Sequence, residues 1–327
     1  MRMQKTINQT IFNLLLFFYA FIKGESTMLE AFYKDVPVLV TGGCGFIGSH
    51  IVQKLVDLGA HVTILDDLST GSLANIEETK NKVTVIVGTI TDYETCLLAT
   101  KDKKIVFHLA AFISVPQSIE APKECYDINV NGTLNLLEAA RTHNVERFIF
   151  SSSAAVYGPT DTLCTEETSL NPQSPYGYSK LIGELYCQQY AKNFGMNTVI
   201  LRYFNVWGER QSPNGAYAAV VAKFVNQMRE NLPITIFGDG QQTRDFVPVK
   251  EVAHANLKLG MMAHAIPGQL FNIATGKSVT LLELIDQLKK DFPYYKHSIN
   301  FAPVRSGDIK SSRADCSKYV KCVEYVQ

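Results

Sequence analysis

Two side chains with types and spacing suited to proton chemistry stand together in the segment Tyr176-Gly177-Tyr178-Ser179-Lys180. Residues four apart on a helix share one face about a turn from each other, so the Lys180 ammonium would hold the Tyr176 phenol near its ionised form. That arrangement makes a general base. Tyr178, two positions from Lys180, points elsewhere. The same spacing also occurs on ordinary solvated helices, so the elements that place the pair must decide its meaning.

Those elements begin with Val38-Leu39-Val40-Thr41, an apolar strand-forming run that opens into Gly42-Gly43-Cys44-Gly45-Phe46-Ile47-Gly48 and then a helical stretch from Ser49 to Val56. This reads as strand, glycine turn, helix. Gly42, Gly45 and Gly48 would let the backbone approach a pyrophosphate at the helix N-terminus, whose dipole favours an anion. The next apolar run, Val62 to Leu65, ends in Asp66-Asp67. That is where dinucleotide-binding units place an acid on the adenosine ribose, and an acid there repels a 2′-phosphate, which selects NAD over NADP.

The alternation continues through strand-like Lys82 to Val87 and Ile105 to His108, a helix from Gly132 to His143, and Arg147-Phe148-Ile149-Phe150 running into Ser151-Ser152-Ser153. Strands separated by helices predict an α/β fold of the Rossmann type, a doubly wound parallel sheet with a smaller α/β substrate-binding unit, whose ligands sit at the carboxyl ends of the strands. His108, ending a central strand, reads as a hydrogen-bonded core histidine.

Composition sets the outer limits. The 327 residues are 46% hydrophobic, enough for a full core, and 31 basic residues balance 31 acidic ones without a long basic run. Nucleic acid is therefore not expected as a partner, and a small molecule is. The cysteines at 44, 96, 125, 164, 187, 316 and 322 show no Cys-x-x-Cys spacing or paired histidines, so no metal site is expected and the thiols read as reduced in a cytoplasmic chain. Ile11 to Ile22 is a nearly unbroken apolar run behind Arg2 and Lys5. It is short of a bilayer span, which leaves export, interfacial anchoring or an upstream extension of a chain starting at Met28; no other membrane partner is expected.

Taken together, Thr41 to Gly48, Asp66, His108-Leu-Ala-Ala111, Asn129-Val-Asn-Gly132, Ser151 to Gly158 and Tyr176-x-x-x-Lys180 resemble the extended short-chain dehydrogenase/reductase family, specifically its nucleotide-sugar 4-epimerases. The second half is similar to the same group in Leu201-Arg-Tyr-Phe-Asn205, Phe237 to Gly240, Arg244 to Pro248, Phe271 to Ala274 and Ala302 to Asp308. The resemblance implies NAD held by Gly42, Gly45, Phe46, Ile47, Gly48, Asp66, Asp67, Ile90, Ala110, Ala111, Asn129, Tyr176 and Lys180. It implies Tyr176 as base, Ser153 in the proton relay, and Lys180 on the nicotinamide ribose, depressing the phenol's pKa together with the positive nicotinamide. A UDP-sugar substrate would meet Ser153, Tyr176, Asn205, Arg244, Arg305 and Ser312. The sugar's C4 would give up hydride and take it back on the other face after the 4-ketosugar turns over.

Two departures bear on this reading. The family's Gly-Asp-Ile/Leu-x-Asp is Gly88-Thr89-Ile90-Thr91-Asp92 here, so a carboxylate toward the adenine is replaced by a hydroxyl and weaker cofactor binding is expected. The chain also ends soon after Val320 to Val326, where relatives usually carry a further stretch. Related dehydratases place Asp-Glu after the serine run; Ala154-Ala155 stand here, which disfavours dehydration. Epimerisation or decarboxylation of a UDP-uronate stays open, as does a non-catalytic NAD-binding sensor or scaffold. Ser312 stands where epimerases restricted to UDP-glucose carry a large aromatic, and its small size implies UDP-N-acetylglucosamine and UDP-N-acetylgalactosamine as substrates. The expected division is an extension over 1–27, a cofactor domain over 28–202 plus about 243–265, and a substrate domain over about 203–242 and 266–327. By analogy a homodimer is expected through Asn129 to His143 and Ser179 to Asn193.

Overall fold

The computed structural model describes residues 27–160, 162–212, 220–304 and 311–324. Six strands alternate with helices in the first part: β1 Pro37–Thr41, β2 His61–Asp66, β3 Val83–Val87, β4 Ile105–His108, β5 Arg147–Ser153 and β6 Thr198–Tyr203. The later part adds β7 Asn205–Trp207, β8 Thr235–Phe237, β9 Thr243–Arg244, β10 Phe246–Pro248, β11 Gln269–Ile273, β12 Val279–Thr280, β13 Asn300–Ala302 and β14 Ser311–Ser312.

Seven of these form one parallel sheet in the order β11-β6-β5-β4-β1-β2-β3. The central strands read as unbroken apolar runs because helices cover both faces: Val38, Leu39, Val40, Ile105, Val106 and Phe107 have no exposed surface. The direction of winding reverses between β1 and β4, so a crevice opens beyond their carboxyl ends. The predicted fold class is the observed one.

The helix Phe46–Asp57 follows the glycine turn, and the helix Val249–Met262 packs beside it through Val252 and the Ile51–Leu55 face. Gly260 keeps that second helix close: a Cβ there would lie 2.7 Å from Tyr33 Oη and 3.0 Å from Phe107 Cζ. The helix Pro175–Phe194 starts at Ser174, whose hydroxyl accepts the Gly177 N–H at 3.1 Å, and ends at Gly195 in the left-handed conformation.

The smaller unit has its own core of Val221, Phe224, Met228, Ile236, Leu284, Ile285 and Tyr295. Outside the large sheet the strands pair as β10-β7, β12-β9-β14 and β13-β8, with Val247 and Val206 of the first pair packed on the large core. The expected boundaries need two corrections. β11, assigned above to the substrate unit, joins the large sheet beside β6, where its Phe271 and Ile273 are buried. β9, assigned to the cofactor unit, pairs with β12 and β14 instead. Both strands are too short for periodicity to reveal which sheet they enter. Among the described residues no helix is long and apolar enough to cross a membrane; Ile11 to Ile22 lies outside the described residues.

Candidate active site

The glycine turn closes tightly. A Cβ on Gly48 would fall 2.1 Å from the Gly42 carbonyl oxygen, and one on Gly42, whose φ is +68°, would fall 2.7 Å from Ala110 N. Only glycine lets the turn, the helix and the chain after β4 approach so closely. Thr41 ties the same parts together by accepting the Leu109 and Ala110 N–H groups at 3.2 Å. The Asp66 carboxylate, buried at the end of β2, accepts Cys44 N–H at 2.8 Å and Leu68 N–H at 2.9 Å. Burial raises its pKa, and these two donors pull it back.

Over these strand ends lies a cleft of about 830 Å³, within the usual range of ligand sites. Gly42, Gly45, Phe46, Ile47, Gly48, Asp66, Asp67, Ile90, Ala110 and Ala111 line it, and Ser153, Tyr176 and Lys180 stand at its far end. Asp67 is exposed and holds the Ser69 N–H and hydroxyl. Thr89, in place of the missing carboxylate, also faces the cleft and hydrogen-bonds the Thr91 hydroxyl at 3.0 Å.

Asn129 differs from the expectation. It does not line the cleft; its Oδ1 accepts the Phe112 N–H at 2.7 Å while Nδ2 donates to the Phe112 carbonyl at 3.0 Å and Ser179 Oγ at 2.9 Å. Its side chain is committed to fastening the cleft wall to the helix that carries Tyr176. It sits in a single wider, π-type turn over Asp127–Asn131, an irregularity common near functional sites.

At the pair itself the predicted juxtaposition is present and the predicted tuning is not. Lys180 Nζ lies 5.9 Å from the Tyr176 ring centre and donates to the Ser151 carbonyl at 3.0 Å. Burial pulls the ammonium's pKa down to about 8. The phenol's pKa is raised, chiefly by burial, and the hydrogen bond with Ser153 works against that rise. Lys180 is not among the groups that move it. The ammonium is turned onto a backbone carbonyl rather than the phenol, so Lys180 by itself does not supply the tuning read from its spacing. His108 is the core histidine predicted: Thr41 and Thr133 hydroxyls bond its two ring nitrogens at 2.8 and 2.9 Å, and burial lowers its pKa to about 3.

A second cavity of about 260 Å³ adjoins the first. Asn205, Arg244 and Ser312 line it together with Val115, Ala154 and Thr160. Both cavities are bounded by Ser153, Tyr176, Tyr203 and Phe204. Arg305 lies outside the described residues. Beneath the junction, Arg202 and Glu184 form a fully buried bidentate pair at 2.8 and 2.7 Å, with Ser152 donating to Glu184 and Arg202 donating to Tyr157 Oη at 2.9 Å. Tyr157 in turn donates to Asn272 Oδ1 at 2.6 Å.

Sequence reasoning missed the Ser69-Thr70-Gly71 loop, Tyr203 and Phe204 as lining groups. The loop had a signal, since small polar residues after a strand end are the pattern that marked Ser151 to Ser153. Tyr203 and Phe204 also had one, since they stand inside the motif Leu201-Arg-Tyr-Phe-Asn205, of which only Asn205 was assigned a role.

The family profile of NAD dependent epimerases and dehydratases matches residues 38–274. The chain belongs to that family. This epimerase-family chain is 43% identical over 284 residues to a putative UDP-glucose 4-epimerase of Methanocaldococcus jannaschii, covering 86% of this chain and 90% of the relative. It is 38% identical to the UDP-glucose 4-epimerase of Mycolicibacterium smegmatis, covering 85% and 89%. Among solved structures it resembles the UDP-N-acetylglucosamine 4-epimerase of Methanobrevibacter ruminantium, in complex with UDP-N-acetylmuramic acid, at 40% identity and a TM-score of 0.83, with 88% and 92% covered. The UDP-glucose 4-epimerase of Thermus thermophilus in complex with NAD is similar at 35% identity and a TM-score of 0.80, with 88% and 93% covered.

As a member of this family the chain is an isomerase of the nucleotide-sugar 4-epimerase type, with NAD as cofactor. The cleft fits that cofactor. Its glycine cradle has no room for a Cβ, and among the described residues no cation acts on Asp66 that could receive a 2′-phosphate.

Proposed function

We propose that the protein interconverts UDP-N-acetylglucosamine and UDP-N-acetylgalactosamine by 4-epimerisation through a 4-ketosugar, with UDP-glucose and UDP-galactose as lesser substrates. The observation that carries this reading is the meeting of two cavities at Ser153 and Tyr176, one lined by the glycine turn and Asp66, the other by Asn205, Arg244 and Ser312. NAD would be held by the turn, Asp66, Asp67, Ile90, Ala110, Ala111 and Lys180. Bound NAD⁺ supplies hydride acceptance at the sugar's C4, return of that hydride, and a positive charge beside the phenol.

The chain's own residues manage the proton. Tyr176 takes it from the 4-hydroxyl and gives it back, and Ser153, which borders both cavities with the phenol and lowers its pKa, steadies the phenolate as it forms. Lys180 keeps its charge near neutral pH, on a helix face one turn from the phenol. Asn205, Arg244 and Arg305 grip the diphosphate, arginine supplying planar, permanently charged forks. Holding the nucleotide far from C4 leaves the ketosugar free to turn over, so binding energy is spent away from the reacting carbon. Ala154 and Ala155 offer no acid–base pair for removing water, which sets this site apart from dehydration.

Ser312 is assigned the room for the 2-acetamido group. Replacing it in Ser312→Tyr is expected to abolish turnover of the acetylated sugars while sparing UDP-glucose. Equal loss on both substrates in coupled assays would defeat the assignment.

A further inference from the structure

Asp245 takes no part in the proposed chemistry, yet the pocket's shape converges on it. It sits between β9 and β10 with no exposed surface. Its Oδ1 accepts the Thr275 N–H at 2.9 Å and the Thr275 hydroxyl at 2.7 Å, and Oδ2 accepts the Gly276 N–H at 2.9 Å. Burial raises its pKa and these donors oppose the rise; among the described residues no cation is one of the groups that act on it. A carboxylate removed from water without a counter-charge is costly unless its oxygens are hydrogen-bonded, and here three donors do that work.

The backbone of the same residue faces the pocket walls. The Asp245 carbonyl accepts Asn205 Nδ2–H at 3.1 Å, and the Asp245 N–H donates to the Ser312 carbonyl at 3.1 Å. Asn205 Nδ2 also reaches Ser312 Oγ at 3.4 Å. Arg244, the neighbour in sequence, lines the cavity with both. The Asn205 side chain, the Ser312 backbone and the adjoining Arg244 thus meet at the two peptide groups that flank the Asp245 Cα, and that Cα is fixed by the carboxylate's grip on Thr275 and Gly276.

We propose that Asp245 is a positioning residue for the nucleotide-sugar pocket, holding Asn205, Arg244 and Ser312 in register through its backbone while its carboxylate anchors that backbone to the turn after β11. The proposal rests on the 4-epimerase reading for the identity of the ligand.

UDP alone, titrated calorimetrically, separates pocket geometry from turnover. Asp245→Asn keeps the shape but turns a donor toward at least one of the three N–H or O–H groups, and Thr275→Val removes the hydroxyl bond to Asp245 together with that hydroxyl's contacts to the Lys277 N–H and carbonyl while leaving both backbone N–H bonds to the carboxylate. Asp245→Asn is expected to raise the UDP Kd and the substrate KM together by about tenfold or more, the worth of one charge-assisted hydrogen bond. Thr275→Val should raise both by roughly threefold to tenfold. In each variant NAD affinity and kcat should stay within about twofold of wild type, the pattern of lost substrate binding without lost chemistry. Unchanged UDP Kd in both variants overturns the proposal, as does a fall in NAD affinity and kcat that keeps step with UDP affinity. If Asp245→Asn fails to fold, Thr275→Val decides by the same criteria. A wild-type protein that binds UDP but epimerises no UDP-sugar defeats the 4-epimerase reading, while weaker UDP binding by Asp245→Asn would still uphold the positioning role.

Discussion

Lys180 is held against its own charge. Its pKa in the fold is about 8, and burial is the first cause, so the native state sheds a proton that the unfolded chain keeps up to the ordinary lysine value. Between those two values the unfolded state binds more protons, and stability rises with pH; the penalty is fully present below about pH 8 and is relieved above it. Urea unfolding of the ligand-free protein at about pH 7 and about pH 10 should show wild type gaining on the order of 2 kcal/mol relative to Lys180→Met. Parallel pH dependence of the two proteins would contradict this. The residue scale also shows where spacing misleads. Tyr176 and Lys180 were legible as neighbours because helical periodicity fixes that, but the direction of a pKa shift depends on burial and on which carbonyl an ammonium finds, and five letters of sequence carry neither.

Among the elements, the helix Pro175–Phe194 bears most of the geometry. It lies so close to β5 that a Cβ on Gly183 would be 2.3 Å from Phe150 Cζ, and Phe150 also faces Lys180 Nζ at 5.4 Å. Gly183→Ala must move the ring or the helix, an overpacking that costs about 1–3 kcal/mol. It should lower kcat while leaving UDP affinity unchanged, because Asn205, Arg244 and Ser312 come from other elements. A variant with a lowered unfolding midpoint but wild-type kcat would show that the helix position does not matter to the chemistry. The strand, glycine turn and helix from Pro37 to Asp57 were legible because each part has a composition no other structure favours. β9 and β11 were not, since two to five residues carry no period that names a sheet. Asn129 read as a ligand of the cofactor from its place in a motif, whereas its amide is consumed within the protein; sequence marks that a polar residue is needed, not which side of the wall it serves.

At the scale of the whole molecule, the sheet and the segments after its strands line the first cavity and most of the second, Asn205, Arg244, Ser311 and Ser312 complete the second, and the buried chain from Ser152 through Glu184, Arg202 and Tyr157 to Asn272 joins them. Asn272 Nδ2 then donates to the Asp315 carbonyl at 3.2 Å, three residues beyond Ser312, so the segment bearing Ser312 is tied back to the serine strand. Apart from Ser152 and Tyr157, none of these partners is near another in sequence, which is why motifs could identify the residues and not the connection. The account stands or falls on what the joined cavities do. The direct measurement is parallel incubation of the protein with NAD and either UDP-N-acetylglucosamine or UDP-glucose, following both 4-epimers over time. The account predicts UDP-N-acetylgalactosamine formed with the higher kcat/KM and no net accumulation of reduced cofactor. Formation of neither 4-epimer by protein that binds NAD would contradict it.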